Sequence, residues 1–347
     1  VQRRDVRNTY TPLRNTKLFS EILGQDETIL RLKKYLASGK VPQAMLFCGA
    51  EGVGKAKTAK NFAMALNCTD SAARAAGDSC GVCQNCQSII NNIHPDYIFL
   101  DLAYQATMPF KDAEKKQHIV VDAVRIVTAK SQQHAVLGRR KIIIIDRAEG
   151  MQAEAQNALL KFIEEPPPDM IWILLASKKE AMLPTIRSRC QSLRFNDLSD
   201  AAVRQILDNL GFDESAAARA AAGGGSVSKA AKAAEFFANI SGADAARETF
   251  PYEVAAGLSR TLADAREEAS LALDILARGL HSLWTKAEND KIREELKGKL
   301  EKIAFFKRAV RRNVSPSLVL ETALVETDDF NKQIFALSPL PDRERAG

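Results

Sequence analysis

"GAEGVGKAKTA", residues 49–59, is the stretch on which the reading of this chain turns. Gly49, Gly54 and Lys55 fit the spacing G-x-x-x-x-G-K, with Gly52 between them. Glycines let successive main-chain N–H groups turn towards one anion. The helix after the loop adds the positive end of its dipole, and the lysine neutralises charge. An apolar run, "AMLFCG" (44–49), comes before it and helix-forming residues come after. The stretch is therefore predicted to be a phosphate-binding loop between a buried strand and a helix, with ATP or ADP as the expected ligand type.

Hydrolysis asks for more than a cradle. Mg²⁺ is normally held by a hydroxyl directly after the lysine and by an acid at the end of a later strand. Here the residue after Lys55 is Ala56, which offers only a methyl. Thr58 stands three residues beyond Lys55, about 300° round the helix, and is a poor substitute. The later strand is expected at "KIIIID" (141–146), with Asp146 as its acid. Hydrolysing proteins of this type usually carry a glutamate next, to activate water. This chain has Arg147, a permanent cation that accepts no proton. Glu149, two residues further on, is expected to face another direction. The site reads as degenerate: hydrolysis is not expected, while nucleotide binding stays open.

Outward from this loop, short apolar runs alternate with helical patterns over the first two hundred residues. "DYIFLD" (96–101), "KIIIID" (141–146), "MIWILLA" (170–176) and "QSLRF" (191–195) join "AMLFCG" as predicted strands. Continuous Ile, Leu and Val suit parallel strands buried on both faces. In "QAEAQNALLKFIEE" (152–165), Ala155, Ala158, Leu159, Phe162 and Ile163 mark one helical face, and "PPP" (166–168) stops the helix. Alternation of this kind predicts an α/β domain with a parallel sheet. After residue 196 the strand-like runs vanish, and alanine-rich helices follow, interrupted by "GGGS" (223–226). The predicted organisation is an α/β domain over 1–195, a small helical domain over 196–245 and a second helical domain over 246–347. In the last, Leu296, Leu300, Ile303, Phe306 and Val310 form one face, expected to pack in a core or at a helix–helix interface. "TDSAARAAGDS" (69–79) and "AYQATMPFKDAEKK" (103–116) are expected as loops or insertions.

The chain has 347 residues, 46% of them hydrophobic and 27% charged, an ordinary globular balance. No apolar stretch approaches the roughly 20 residues a membrane helix needs. The basic start, "VQRRDVRNTYTPLRNTK" (1–17), carries no apolar segment or small-residue cleavage site, so no secretion signal is read there. Its first residue is not Met, and the true N-terminus is expected further upstream. A net charge of +6 permits a nucleic-acid contact without demanding one.

Of six cysteines, three lie in "CGVCQNC" (80–86). Cys68, Cys80, Cys83 and Cys86 give C-x₁₁-C-x₂-C-x₂-C, a pattern able to close a tetrahedral, structural Zn²⁺ site. This clustering predicts a reducing, cytoplasmic setting and a metal rather than disulfides. Cys48 and Cys190, at strand ends, are expected to be ordinary buried cysteines. His94, His118, His134 and His281 are scattered and form no nucleophile or metalloprotease motif.

Several stretches together resemble one family. They are "GAEGVGKAKTAKNFAMALNC", the cysteine module, "HPDYIFLD", "IIIIDRAEGMQAEAQNALLKFIEEPPPDMIWILLAS" and "LPTIRSRC". These are similar to bacterial DNA polymerase III clamp-loader subunits of the AAA+ type, densely over residues 19–195 and loosely beyond. The resemblance implies a RecA-like α/β domain, a small helical lid and a helical collar that assembles a five-subunit ring. Such rings contain delta and gamma/tau subunits, open the sliding clamp and load it onto primer–template DNA during replication. Within the family, the gamma/tau branch hydrolyses ATP and carries the hydroxyl, an acidic pair and a lid arginine. Here those positions hold Ala56, Arg147 and, in "GGGSVSKA", Ser228, a pattern that with the length of 347 resembles the delta-prime branch. The cysteine spacing is a few residues longer than is usual there. By the same resemblance Arg189, in "SRC", is the arginine finger that stabilises charge on a neighbour's ATP. Ser177 falls where the family has a polar nucleotide sensor; without its usual neighbours it is expected only to cap the next helix. Asn157 and Lys161 are expected to face DNA phosphates or solvent.

Overall fold

The structure is a computed structural model that describes residues 19–132, 135–212, 225–232, 248–259, 261–310, 312 and 314–335. The chain divides into two compact units, Val1–Asp197 and Leu198–Gly347. His134, the basic start and half of the expected small helical domain (213–224 and 233–245) lie outside the described residues.

All five predicted strands form: β1 (Ala44–Cys48), β2 (Tyr97–Leu100), β3 (Lys141–Ile145), β4 (Met170–Ala176) and β5 (Gln191–Arg194). They build one parallel sheet in the order β2-β3-β4-β1-β5. The helices of this unit are α1 (Asp26–Ser38), α2 (Lys55–Asn67), α3 (Ser71–Ala75), α4 (Gln84–Ile90), α5 (Leu102–Ala106), α6 (Val121–Ser131), α7 (Ala153–Glu164) and α8 (Pro184–Arg189).

Strand side chains alternate between two cores, as the two-residue period of a strand requires. Met45, Phe47, Ile142, Ile144, Ile173 and Leu175 pack with α1, α2 and α4 on one face. Leu46, Ile143, Ile145, Trp172 and Leu174 pack with α6, α7 and α8 on the other. Burial on both faces explains why these strands read as unbroken apolar runs.

Two predicted loops are partly helical. Asp70 and Asp101 each accept a hydrogen bond from the main-chain N–H three residues on, at 2.9 and 2.7 Å, and so cap α3 and α5. An aspartate N-cap is enough to start a short helix inside a polar stretch. The entry to β3 is held by two buried side chains. Asp96 accepts from the N–H groups of Val136, Leu137 and Gly138 at 2.7–2.8 Å, and Asn67 Oδ1 accepts from those of Arg139 and Arg140 at 2.9 Å.

The second unit is helical. Its elements include α9 (Asp200–Asn209), α10 (Phe250–Ala256), α11 (Leu262–Lys286), α12 (Asp290–Val310), α13 (Pro316–Glu326) and α14 (Asp328–Phe335). Val203, Leu207 and Ala230 share one apolar cluster with Leu276, Leu280, Leu320 and Leu324. On α12, Leu296, Ile303 and Val310 are buried, and Leu300 and Phe306 pack against the same core, as the sequence face predicted. No described helix is long and apolar enough to cross a membrane.

Candidate functional site

The parallel register aligns Cys48 with Ala176, and Ile145 with Leu174, so β1, β3 and β4 open their C-terminal ends on one edge. The phosphate loop leaves β1 there. Gly49 N donates to Ala176 O at 3.1 Å, and a Cβ on Gly49 would stand 2.4 Å from Phe195 O. Only glycine fits that approach. Gly52 has φ 79° and Gly54 has φ 100°, backbone that favours glycine, and Gly54 leads straight into α2.

Lys55 opens α2 and folds over the loop. Its Nζ donates to the Gly49 carbonyl at 2.6 Å and to the Ala50 carbonyl at 2.7 Å. Burial lowers the lysine below its ordinary 10.5, against the opposing pull of Glu149, Asp146 and Glu51. Ala56 packs against the apolar core. Thr58, fully buried, commits its hydroxyl to Gly54 O at 2.9 Å. That bond turns the hydroxyl into its own helix rather than towards a metal.

Beyond Asp146 the chain turns sharply. Arg147 has φ 47°, a left-handed conformation uncommon outside glycine, and leads into a 3₁₀ turn at Ala148–Gly150. Its Nη2 donates to Glu51 Oε1 at 2.7 Å, bridging β3 to the phosphate loop, with both side chains more than half exposed. The reversal corrects two expectations. Glu149 does not face away: its Oε1 accepts from Ser177 N at 3.0 Å and from the Ser177 hydroxyl. Ser177 therefore pairs with Glu149 and caps nothing, the residue before the next 3₁₀ turn being Lys178. Among the carboxylates Glu149 also acts most strongly on Lys55. Sequence carried no sign of this, because a single left-handed residue redirects the chain beyond it.

The four cysteines converge. Cys68 follows α2, Cys80 and Cys83 lie on the next loop and Cys86 sits on α4, and their Sγ atoms all lie within 4.8 Å of one another. The Cys68–Cys83 separation is 4.0 Å. A tetrahedron of thiolates about 2.3 Å from Zn²⁺ has edges of about 3.8 Å, so the donor set fits such an ion. Cys80 N donates to Cys68 Sγ at 3.4 Å, and Cys83 N to Cys80 Sγ at 3.3 Å. Burial works to raise the Cys83 thiol, but hydrogen bonds from Thr69 and Cys86 outweigh it and bring it to about 6. Burial, with the neighbouring Cys83, pushes Cys86 up instead. Outside the module Cys190 is buried as expected, whereas Cys48 is only half-buried.

Helix α2 ties the phosphate loop to this module. Lys60, 1% exposed, donates to Ile90 O and to Asn92 Oδ1, both at 2.9 Å, and so closes the C-terminal end of α4. Burial pulls its pKa from 10.5 to about 8. A lysine at this depth was not legible in "KAKTAKNFA", since its partners lie thirty residues on.

Arg189 ends α8. Its Nε lies 2.8 Å from Glu164 Oε1, its Nη1 donates to Thr185 O at 3.1 Å, and its side chain is 40% exposed. Glu164 closes α7, so the "KFIEE" stretch sets the arginine's direction. Buried Gln156 fixes α8 in turn. Its Oε1 accepts from Leu183 N at 2.9 Å, and its Nε2 donates to Met151 O at 3.0 Å. Asn157 and Lys161 are exposed on α7. His94 is buried, while His118 and His281 are exposed.

A five-stranded parallel sheet in this order, with a phosphate loop after β1 and a helical second unit, is the AAA+ architecture. A solved structure with this fold, a DNA polymerase III gamma subunit-related protein from Thermotoga maritima, superposes with a TM-score of 0.50 at 16% identity. It covers 88% of this chain and 99% of that one. A family model described as DNA polymerase III, delta subunit, matches residues 24–199, half of the chain, and the chain belongs to that family. The DNA polymerase III subunit delta' of Pseudomonas aeruginosa is 40% identical over 147 residues, 42% of this chain and 41% of that protein. The gamma/tau subunit of Mycobacterium tuberculosis H37Rv is 32% identical over 191 residues, 54% of this chain and 30% of that protein. The matches thus span less than half the length of these curated relatives.

Proposed function

We propose that this chain is a delta-prime-type subunit of a DNA polymerase III clamp loader. In this reading it sits in a five-subunit ring with delta and gamma/tau, in the cytoplasm. The ring loads the sliding clamp onto primer–template DNA as part of the polymerase holoenzyme. Residues 1–195 form the α/β domain, 196–245 the lid and 246–347 the collar. Arg189 reaches a neighbour's ATP as an arginine finger, and one structural Zn²⁺ is held by Cys68, Cys80, Cys83 and Cys86.

The observation that carries this reading is the pairing of a silenced local site with an ordered, half-exposed arginine. Ala56 gives no metal ligand, Thr58 has turned its hydroxyl inward, and Arg147 stands where water activation needs a base. Arg189 needs neither metal nor base of its own to stabilise charge on another subunit's phosphoryl group. The gamma/tau relatives favour a second reading, an ATP-hydrolysing subunit, and turnover separates the two.

The test is ATP hydrolysis by the pure chain and by the reconstituted loader. The pure chain is expected to give no turnover above background. The loader carrying Arg189→Ala is expected to lose about tenfold or more of its clamp- and DNA-stimulated rate. Steady ADP formation by the isolated chain, abolished by Lys55→Ala, would establish the second reading instead.

A further inference from the structure

We propose that Arg147 takes the place of the divalent cation at this phosphate loop, so that the site binds nucleoside polyphosphate without Mg²⁺, and that Glu51 is the internal counter-ion the phosphate displaces. The proposal rests on the reading of residues 49–55 as a nucleotide site and deepens it. A triphosphate brought to such a loop needs more positive charge than one lysine supplies, and Mg²⁺ ordinarily provides it. The metal's hydroxyl ligand is absent at Ala56 and turned away at Thr58. A fixed cation stands on the same edge instead. The reach of Arg147 across to the loop is shown by its contact with Glu51, itself a loop residue between Gly49 and Gly54, at 2.7 Å.

That ion pair is exchangeable. Both side chains are more than half exposed, the class of pair whose net contribution is small. A phosphate offers the guanidinium a planar, two-point match that a single carboxylate oxygen does not. Asp146 and Glu149 stay on the strand edge beside Lys55 and keep the local field balanced. Glu51 therefore acts as a carboxylate stand-in for phosphate, and its removal takes away the loop carboxylate that competes with the ligand for Arg147.

The experiment is calorimetric titration of the full chain with ATP and with ADP, first in EDTA and then in excess Mg²⁺. Wild type, Glu51→Gln and Arg147→Gln are compared, with circular dichroism to show that each is folded. Wild type is expected to bind equally well, within about threefold, with and without the metal. Glu51→Gln is expected to bind about threefold tighter or more, and Arg147→Gln about tenfold weaker or worse. Binding that requires Mg²⁺, or that ignores both substitutions, overturns the proposal. Absence of binding in all three proteins overturns it too, yet leaves the trans-acting role intact, since that is read from Arg189→Ala in the assembled loader.

Discussion

Replacing Lys60 by Met probes a buried charge whose effect on stability has a defined sign. Lys60 is 1% exposed, and its ammonium group is held by two oxygens, Ile90 O and Asn92 Oδ1. Burial brings its pKa from 10.5 to about 8. Below the folded value both states carry the proton, and keeping it inside the fold costs about 3 kcal/mol. As pH rises from about 8 to about 10.5 the native lysine has released its proton while the unfolded chain still holds one. The unfolded state then binds more protons, so stability rises with pH. Between about pH 7 and 9.5 the gain is about 2 kcal/mol. At neutral pH the variant escapes the burial cost but leaves two acceptors short of a donor, at about 1–3 kcal/mol each. These effects nearly cancel, so the pH dependence is the discriminating quantity. The assay is denaturant unfolding under reducing conditions in a Trp284→Phe background, where Trp172, buried in β4, is the sole indole reporter of the α/β unit. The wild-type value minus that of Lys60→Met is expected to climb by about 2 kcal/mol over this range. A difference flat to within about 0.5 kcal/mol would refute the reasoning and show that water reaches the ammonium group.

Three other substitutions test other parts of the frame. Gly49→Ala drives a methyl into Phe195 O and is expected to cost about 2–3 kcal/mol or more, read as a lowered unfolding midpoint. Burial works to raise the Asp96 carboxyl, but N–H bonds from Gly138, Val136 and Leu137 outweigh it and hold it below 3.8. Its stabilisation is therefore present above about pH 4 and lost as pH falls through the lowered native value. Asp96→Asn is expected to remove about 2–4 kcal/mol at neutral pH and most of that acid dependence. Protein purified without chelator is expected to carry about one zinc per chain by elemental analysis, and Cys83→Ser to carry almost none; metal-free wild-type protein would remove zinc from the account.

Much of the sheet could be read in advance because its physics is local. "KIIIID" and "MIWILLA" have no polar face to offer water, and only a strand covered on both sides accepts them. The phosphate loop and the cysteine quartet were equally legible, since each is a spacing pattern within one short stretch, residues 49–55 and 68–86. The features that escaped depend on partners far along the chain or on a single dihedral angle. Lys60 looks like a solvated charge until Asn92 comes round to meet it. Glu149 looks irrelevant until Arg147 adopts a positive φ. Gln156 sits in a helix as an ordinary amide, yet it holds the start of α8, and so Arg189, in place.

The two faces of the sheet also divide the labour mechanically. The cysteine helix and α2 press on one side through Phe47, Ile142 and Leu175, while the arginine's supports press on the other through Leu46, Ile145 and Leu174. Neighbouring residues of a strand thus report to opposite clients, and a rigid main chain insulates one from the other. Lesions that loosen the cysteine module should leave the arginine's aim nearly untouched, whereas one altered strand backbone would disturb both at once.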